Sequence, residues 1–313
     1  SVKKVLVVGL GSIGKRHVQV IRELYPNIII SALKNSPWNG SEMGVDKCLS
    51  SMNDALEFKP NAAIVANPAT KHLDTARILA ENGIHLLIEK PISASSAGVQ
   101  DLIGLCESKK IVLMTGYNLR FLPSLIEFRN LIQTRRVGKI YSVQAEIGQY
   151  LPDWRPEKDY KKTVSAQKEL GGGVLLELSH DLNYLTWIFG PIGWVKSHIS
   201  KQSNLEIDVE DTAHIILGFK DIEDDLITAT LNMDCLRRDT SRQCKVVGAK
   251  GSLLWDGIKG EVKGFFDDGK GWQLLSTSKP EKNHTYAEEI KHFFSLIMSG
   301  KPSLISGRDG LET

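Results

Sequence analysis

Apolar and polar positions follow two rhythms along this chain, and the change falls near residue 122. Before it, short and mostly apolar runs recur at 5–8, 28–30, 62–66, 85–88 and 111–115. A run that is apolar at every position fits a strand buried on both faces of a parallel sheet. Between these runs, helical spacing appears up to residue 24 and again over 52–58, 72–82 and 99–108, with Gly83 placed as a C-cap. Strands alternating with helices predict a doubly wound α/β half. Beyond a helix over 123–134 the period becomes two, in 140–150, 195–201, 212–219 and 226–234, with shorter strands expected at 243–247, 252–255 and 261–266. That rhythm predicts a large, mostly antiparallel open sheet, with one helix inserted over 174–189. A last amphipathic helix, 286–299, runs through Ile290, Phe293, Phe294 and Ile297, and 310–313 reads as the start of another. The expected organisation is an α/β domain over 1–121 and an α+β domain over 122–313.

Composition narrows the class. At 313 residues the chain is too long for one ordinary core, and 42% hydrophobic with 24% charged residues is a globular balance. A net charge of +2 gives no reason to expect nucleic acid or an anionic membrane as partner. Four cysteines (Cys48, Cys106, Cys235, Cys244) without C-x-x-C pairs fit reduced thiols. The chain enters a strand at once, leaving no room for a signal peptide, and no apolar run approaches a bilayer span. A cytoplasmic protein is expected. A broad sheet with one face open favours a homodimer or homotetramer over a monomer.

The most informative stretch is residues 3–17, where Gly9, Gly11 and Gly14 stand at G-x-G-x-x-G spacing between a strand and a helix. Gly9 permits the turn, Gly11 lets backbone approach a pyrophosphate, and Gly14 lets the helix pack close to the strand. The helix N-terminus then offers N–H groups to the phosphates. The second strand is followed by Ala32-Leu33-Lys34-Asn35-Ser36, with no carboxylate for the ribose hydroxyls, so the cofactor is NAD or NADP with a lean to NADP.

Three further clusters carry candidate chemistry. Glu89-Lys90-Pro91 ends a sheet strand, where a lysine could reach a ribose hydroxyl and a substrate oxygen. Gly171-Gly172-Gly173 opens the 174–189 helix, leaving N–H groups exposed, and Glu177, His180 and Asn183 at i, i+3 and i+6 share its face. Histidine suits removal of an alcohol proton as hydride leaves. The loop 150–160 offers Trp154 and Tyr160 to stack on a sugar and Arg155 to grip a carboxylate or phosphate. No histidine–carboxylate cluster has ligand spacing, so no metal is expected.

Taken together, the glycine loop, Asn67-Pro68 with His72, Glu89-Lys90-Pro91, residues 116–121 with Asn118 and Arg120, and the triple-glycine helix resemble the glucose–fructose oxidoreductase/inositol dehydrogenase/MocA (Gfo/Idh/MocA) family over essentially the whole chain. The resemblance implies that Lys90 and His180 are the catalytic pair and that the Lys90–Pro91 bond is often cis. It also implies cofactor contacts from Gly9, Gly11, Ser12, Ile13, Gly14 and Arg16, with Lys34, Asn67, Pro68, His72, Glu89, Lys90 and Asn118. Substrate contacts are expected from Lys90, Arg120, Trp154, Arg155, Tyr160, Glu177, His180 and Asn183. Many members separate an aspartate from the histidine by three residues. Here Glu177 precedes His180 by two intervening residues, as in a subgroup with a Trp-Arg-Pro…Asp-Tyr loop linked to bacterial surface sugars. Either Glu177 or Asp181 could support His180. The expected activity is hydride transfer between nicotinamide and a secondary alcohol or ketone of a sugar, cyclitol or sugar nucleotide. The alternatives are reduction of an imine or tetrapyrrole, and a non-catalytic dinucleotide-binding regulator.

Overall fold

Two sheets carry the fold of this computed structural model, which describes residues 2–38, 42–220 and 226–313. The first is built from β1 (Lys4–Val8), β2 (Ile29–Leu33), β3 (Lys47–Leu49), β4 (Ala62–Val65), β5 (His85–Glu89) and β6 (Leu113–Gly116). All pair in parallel, in the order β3-β2-β1-β4-β5-β6. Parallel pairing needs crossovers, supplied here by α1 (Ser12–Leu24), α2 (Met52–Glu57), α3 (His72–Glu81) and α4 (Val99–Ser108). Leu6, Ile64, Leu86 and Leu87 are wholly buried, as runs covered by helices on both faces require. The strand order reverses between β1 and β4, and ligands of open α/β sheets lie outside the carboxyl ends of strands at such a switch.

After α5 (Pro123–Gln133) comes β7 (Ile140–Gly148), then α6 (Val174–Glu177) and α7 (His180–Phe189). Seven strands follow: β8 (Ile192–Ser200), β9 (Thr212–Lys220), β10 (Leu226–Asp234), β11 (Ser241–Gly248), β12 (Gly251–Asp256), β13 (Glu261–Phe266) and β14 (Trp272–Thr277). With β7 they form an eight-stranded sheet, β14-β13-β12-β11-β7-β10-β9-β8, antiparallel except for the β7–β10 pair. The period-two pattern has its expected cause: along β10, Ile227, Ala229, Leu231 and Met233 are buried while the residues between face out. The inner face packs on α5 and α7 around Trp255, whose indole N–H donates to Ser124 at 3.0 Å and whose ring meets Phe128 and Tyr184.

The chain closes with α8 (His284–Ser299) and α9 (Gly307–Glu312). By internal contact it divides into residues 1–118 with 283–312, and residues 119–282 with Thr313. The expectation of one C-terminal domain over 122–313 differs at this point. The apolar stripe of α8, with Ile290, Phe293 and Phe294 buried, covers α1, where Phe294 meets Tyr25 at 5.1 Å between ring centroids. In α9, Gly307 and Gly310 are buried against β6 and α4. A helical stripe reveals that a helix is amphipathic, not which sheet it will cover.

Two further differences matter. The helix expected over 174–189 is interrupted at Leu178 and Ser179, so α6 and α7 are separate pieces. Short β3 and β14 are also present, beyond the strands the pattern predicted. Among the described residues no helix is long and apolar enough to cross a membrane.

Candidate functional site

In the first unit the carboxyl ends of β1, β4 and β5 bring the glycine loop, the Asn67–Pro68 turn and Lys90 to one rim of the sheet. A Cβ added to Gly14 would lie 1.9 Å from the Gly9 carbonyl oxygen, so only glycine lets α1 approach β1 this closely. A Cβ at Gly11 would meet nothing within 4 Å, leaving open space before the helix. The helix starts at Ser12 and Ile13 with no side-chain cap and no acidic residue in its first turn. Its first N–H groups therefore have no intrahelical acceptor, and a dinucleotide pyrophosphate fits this cradle. Arg16, one turn on, lies over the Tyr286 ring at 5.0 Å. Lys34 lies over Trp38 at 4.4 Å and 3.8 Å from a Glu42 carboxylate that Lys15 also pairs at 3.0 Å. The cation behind the NADP lean is thus already engaged, and that lean finds no support here.

At the end of β5, Glu89 is buried, with Oε1 2.6 Å from His17 Nε2, while Oε2 accepts the Lys90 main-chain N–H at 3.2 Å. Lys90 itself is half-buried, and the Lys90–Pro91 bond is cis, as the family resemblance implied. His72 does not face a ligand. It is buried, with Nδ1 2.8 Å from the Pro91 carbonyl and Nε2 2.7 Å from that of Asn67, so it ties the turn after β4 to the one after β5. Burial lowers its pKa. Asn67 donates to Thr75 Oγ1 at 3.0 Å, and Asn118 donates to Thr285 Oγ1 at 2.9 Å. Pattern reading missed His17 and Glu289. The first sits on α1 under the glycine loop, and the second is a carboxyl on the apolar stripe of α8. With Glu89 they place ligand-type atoms within 4.8 Å of one another. A charged residue on an otherwise apolar helix face was the available signal.

The second unit holds the other predicted residues. The triple glycine does not open N–H groups to a ligand: a Cβ at Gly173 would fall 2.4 Å from Glu210 Oε1, and that oxygen accepts the Leu175 N–H at 3.1 Å. Glu210 caps α6, and close packing explains the glycine. Because the helix breaks, Glu177 ends α6 and His180 begins α7, so the shared-face spacing of Glu177, His180 and Asn183 does not hold. Glu177 Oε2 accepts from Ser165 Oγ at 3.0 Å. Asp181 is buried and pairs with Arg242 at 3.1 Å. Arg120 and Asn183 are brought together, Nε to Oδ1 at 2.9 Å, with the guanidinium also over Trp187. Trp154, Arg155 and Tyr160 line one pocket with Leu151, Thr163 and Ser165. The Trp154 N–H is held by the Gln149 carbonyl at 2.9 Å, and Tyr160 Oη accepts the Glu206 N–H at 3.3 Å.

Comparison with known proteins agrees with this anatomy. Residues 3–117 match the model of an oxidoreductase family with an NAD-binding Rossmann fold, and residues 125–254 match the GFO/IDH/MocA C-terminal domain. Myo-inositol 2-dehydrogenase of Thermotoga maritima is 24% identical over 97% of this chain and 91% of its own length. Among solved structures, levoglucosan dehydrogenase in complex with NADH superposes with a TM-score of 0.85 at 18% identity, covering 99% of this chain and 93% of that one. The WlbA dehydrogenase of Bordetella pertussis, in complex with NADH and UDP-GlcNAcA, gives 0.82 at 19% identity, covering 100% and 93%. On these matches and this fold, the chain belongs to the Gfo/Idh/MocA family of oxidoreductases, with an NAD-binding Rossmann unit and the family's C-terminal domain.

Proposed function

We propose that this protein is an NAD(P)-dependent dehydrogenase acting on a secondary alcohol, or the corresponding ketone, of a sugar, cyclitol or sugar nucleotide. The observation that carries the reading is Lys90: a half-buried lysine at the carboxyl end of β5, on the sheet rim that also bears the glycine cradle. The cradle of Gly9, Gly11, Ser12, Ile13 and Gly14 would hold the pyrophosphate. Bound there, a nicotinamide dinucleotide supplies the hydride acceptor or donor at C4. Lys90 donates to the substrate oxygen and polarises it. In the oxidative direction the carbon gives up hydride, its O–H proton passes to His180, and the C–O bond becomes a carbonyl; the reductive direction runs in reverse. Either Glu177, which accepts from Ser165, or Asp181, which pairs with Arg242, supports His180 in this scheme. Trp154, Arg155 and Tyr160 grip the sugar or its phosphates, and Arg120 with Asn183 orients it. The substrate class is drawn from relatives whose names specify inositol, levoglucosan and a nucleotide sugar.

The test is absorbance of the reduced nicotinamide with NAD and NADP in parallel, over panels of free sugars, cyclitols and nucleotide sugars. Lys90→Ala and His180→Ala should each lose turnover by a factor on the order of 10² or more while still binding cofactor. Undiminished rates in both variants would remove the assigned pair. Cofactor binding without turnover on any panel would favour a dinucleotide-binding regulator. We also propose assembly as a homodimer or homotetramer, because β9 and β10 present Ile216 and Leu226 among exposed His214, Thr228 and Thr230. A monomer in sedimentation equilibrium would refute this.

A further inference from the structure

Behind Lys90 lies a buried group that the chemistry above leaves unused. Glu289 of α8 is 0% exposed, and neither of its carboxyl oxygens has a hydrogen-bond partner among the described residues. Three elements face it: α1 with His17 and Arg16, β5 with Glu89, and its own helix with Tyr286. Burial, and then the neighbouring Glu89 charge, push the Glu289 carboxyl well above the usual carboxylate range. Both causes favour the protonated form, and a protonated carboxyl is an O–H donor. Its distance from the His17 and Glu89 atoms, at most 4.8 Å, is spanned by a small side-chain rotation or by one water.

The same three side chains could be read as metal ligands, but the geometry disfavours that. Two atoms bound to one zinc at 2.0–2.1 Å stand roughly 3.3 Å apart in a tetrahedral site. The His17–Glu89 contact is 2.6 Å, a direct hydrogen bond too short for two atoms that share a metal ion.

We propose that Glu289 is a positioning residue for Lys90: with His17 it holds the Glu89 carboxylate in one place, and that carboxylate holds the Lys90 main chain. The proposal rests on the reading in which Lys90 meets the substrate. While Glu289 is protonated, Glu89 is the one buried carboxylate charge of the cluster. Once Glu289 ionises, two like charges share the space, and Glu89 and the Lys90 N–H bonded to it must shift.

The test compares the full chain with Glu289→Gln, an isosteric neutral amide, and Glu289→Leu. Without any substrate, the Lys90 main-chain amide resonance should move as pH rises through the Glu289 titration in the wild type and stay still in Glu289→Gln. A resonance that stays still in both, or moves equally in both, overturns the proposal. With a substrate from the panels, Glu289→Leu should lower kcat by about tenfold at unchanged cofactor KM, and Glu289→Gln should restore it and remove the alkaline fall in rate. A Gln variant no better than Leu, or a change in KM alone, overturns it. So does a stoichiometric metal in the wild type that is lost in Glu289→Gln. Absence of turnover on every panel counts against the dehydrogenase reading, while the amide resonance still decides the role of Glu289.

Discussion

His72 spends both ring nitrogens on main-chain carbonyls, but a neutral imidazole can donate to only one of them. Burial holds its folded pKa below the ordinary 6.5, so below that value the unfolded chain binds the extra proton and the folded one resists it. Its contribution to stability is therefore present above pH 6.5 and lost as pH falls. Thermal unfolding followed from pH 8 to pH 5 should show a declining Tm, flatter in His72→Gln. Glu289 works in the opposite sense. Its folded pKa is raised, so stability falls as pH rises from the ordinary carboxylate range through the raised value, and Glu289→Gln should gain on the wild type across that window. Gly14→Ala is a steric case: a methyl 1.9 Å from the Gly9 oxygen must push α1 from β1. It should cost about 1–3 kcal/mol in urea unfolding and abolish NADH binding followed by fluorescence.

Among the elements, the α6 start depends on a side chain distant in sequence. Glu210→Ala leaves the Leu175 N–H without its partner and should cost about 1 kcal/mol by denaturant titration, with no effect on cofactor binding. Such a cap cannot be read from a pattern, because 35 residues separate donor and acceptor. The alternating half was legible, since every strand there but the short β3 is built on a mostly apolar run, and so was the period-two sheet. The break between Leu178 and Ser179 was not: its residues are all helix-compatible, and with it went the shared face assigned to Glu177, His180 and Asn183. Lys90 and the glycine cradle could be found because strand ends and glycine spacing are local signals. His17, Glu89 and Glu289 could not be joined, because they come from a helix, a strand and a second helix that are distant in sequence, 72 positions separating the first two.

For the whole molecule, the division into units follows the cover that α8 gives to α1. Removing residues 283–313 should raise amide hydrogen exchange in α1, where Tyr25 loses Phe294, while β10 to β12 keep their protection. Equal deprotection of both units would show that they unfold as one. Phe293→Ala, at a position 0% exposed, should cost about 3–5 kcal/mol in the transition that reports on the first unit.

The return of the chain to the first unit also orders events on the ribosome. Residues 119–282 are contiguous and can complete their sheet as they emerge, whereas the Rossmann sheet, made first, must wait with α1 uncovered until residue 283 and beyond have been translated. The half that is begun earliest is thus finished last. A nascent chain stalled in between leaves the apolar side of α1 without the cover that α8 provides.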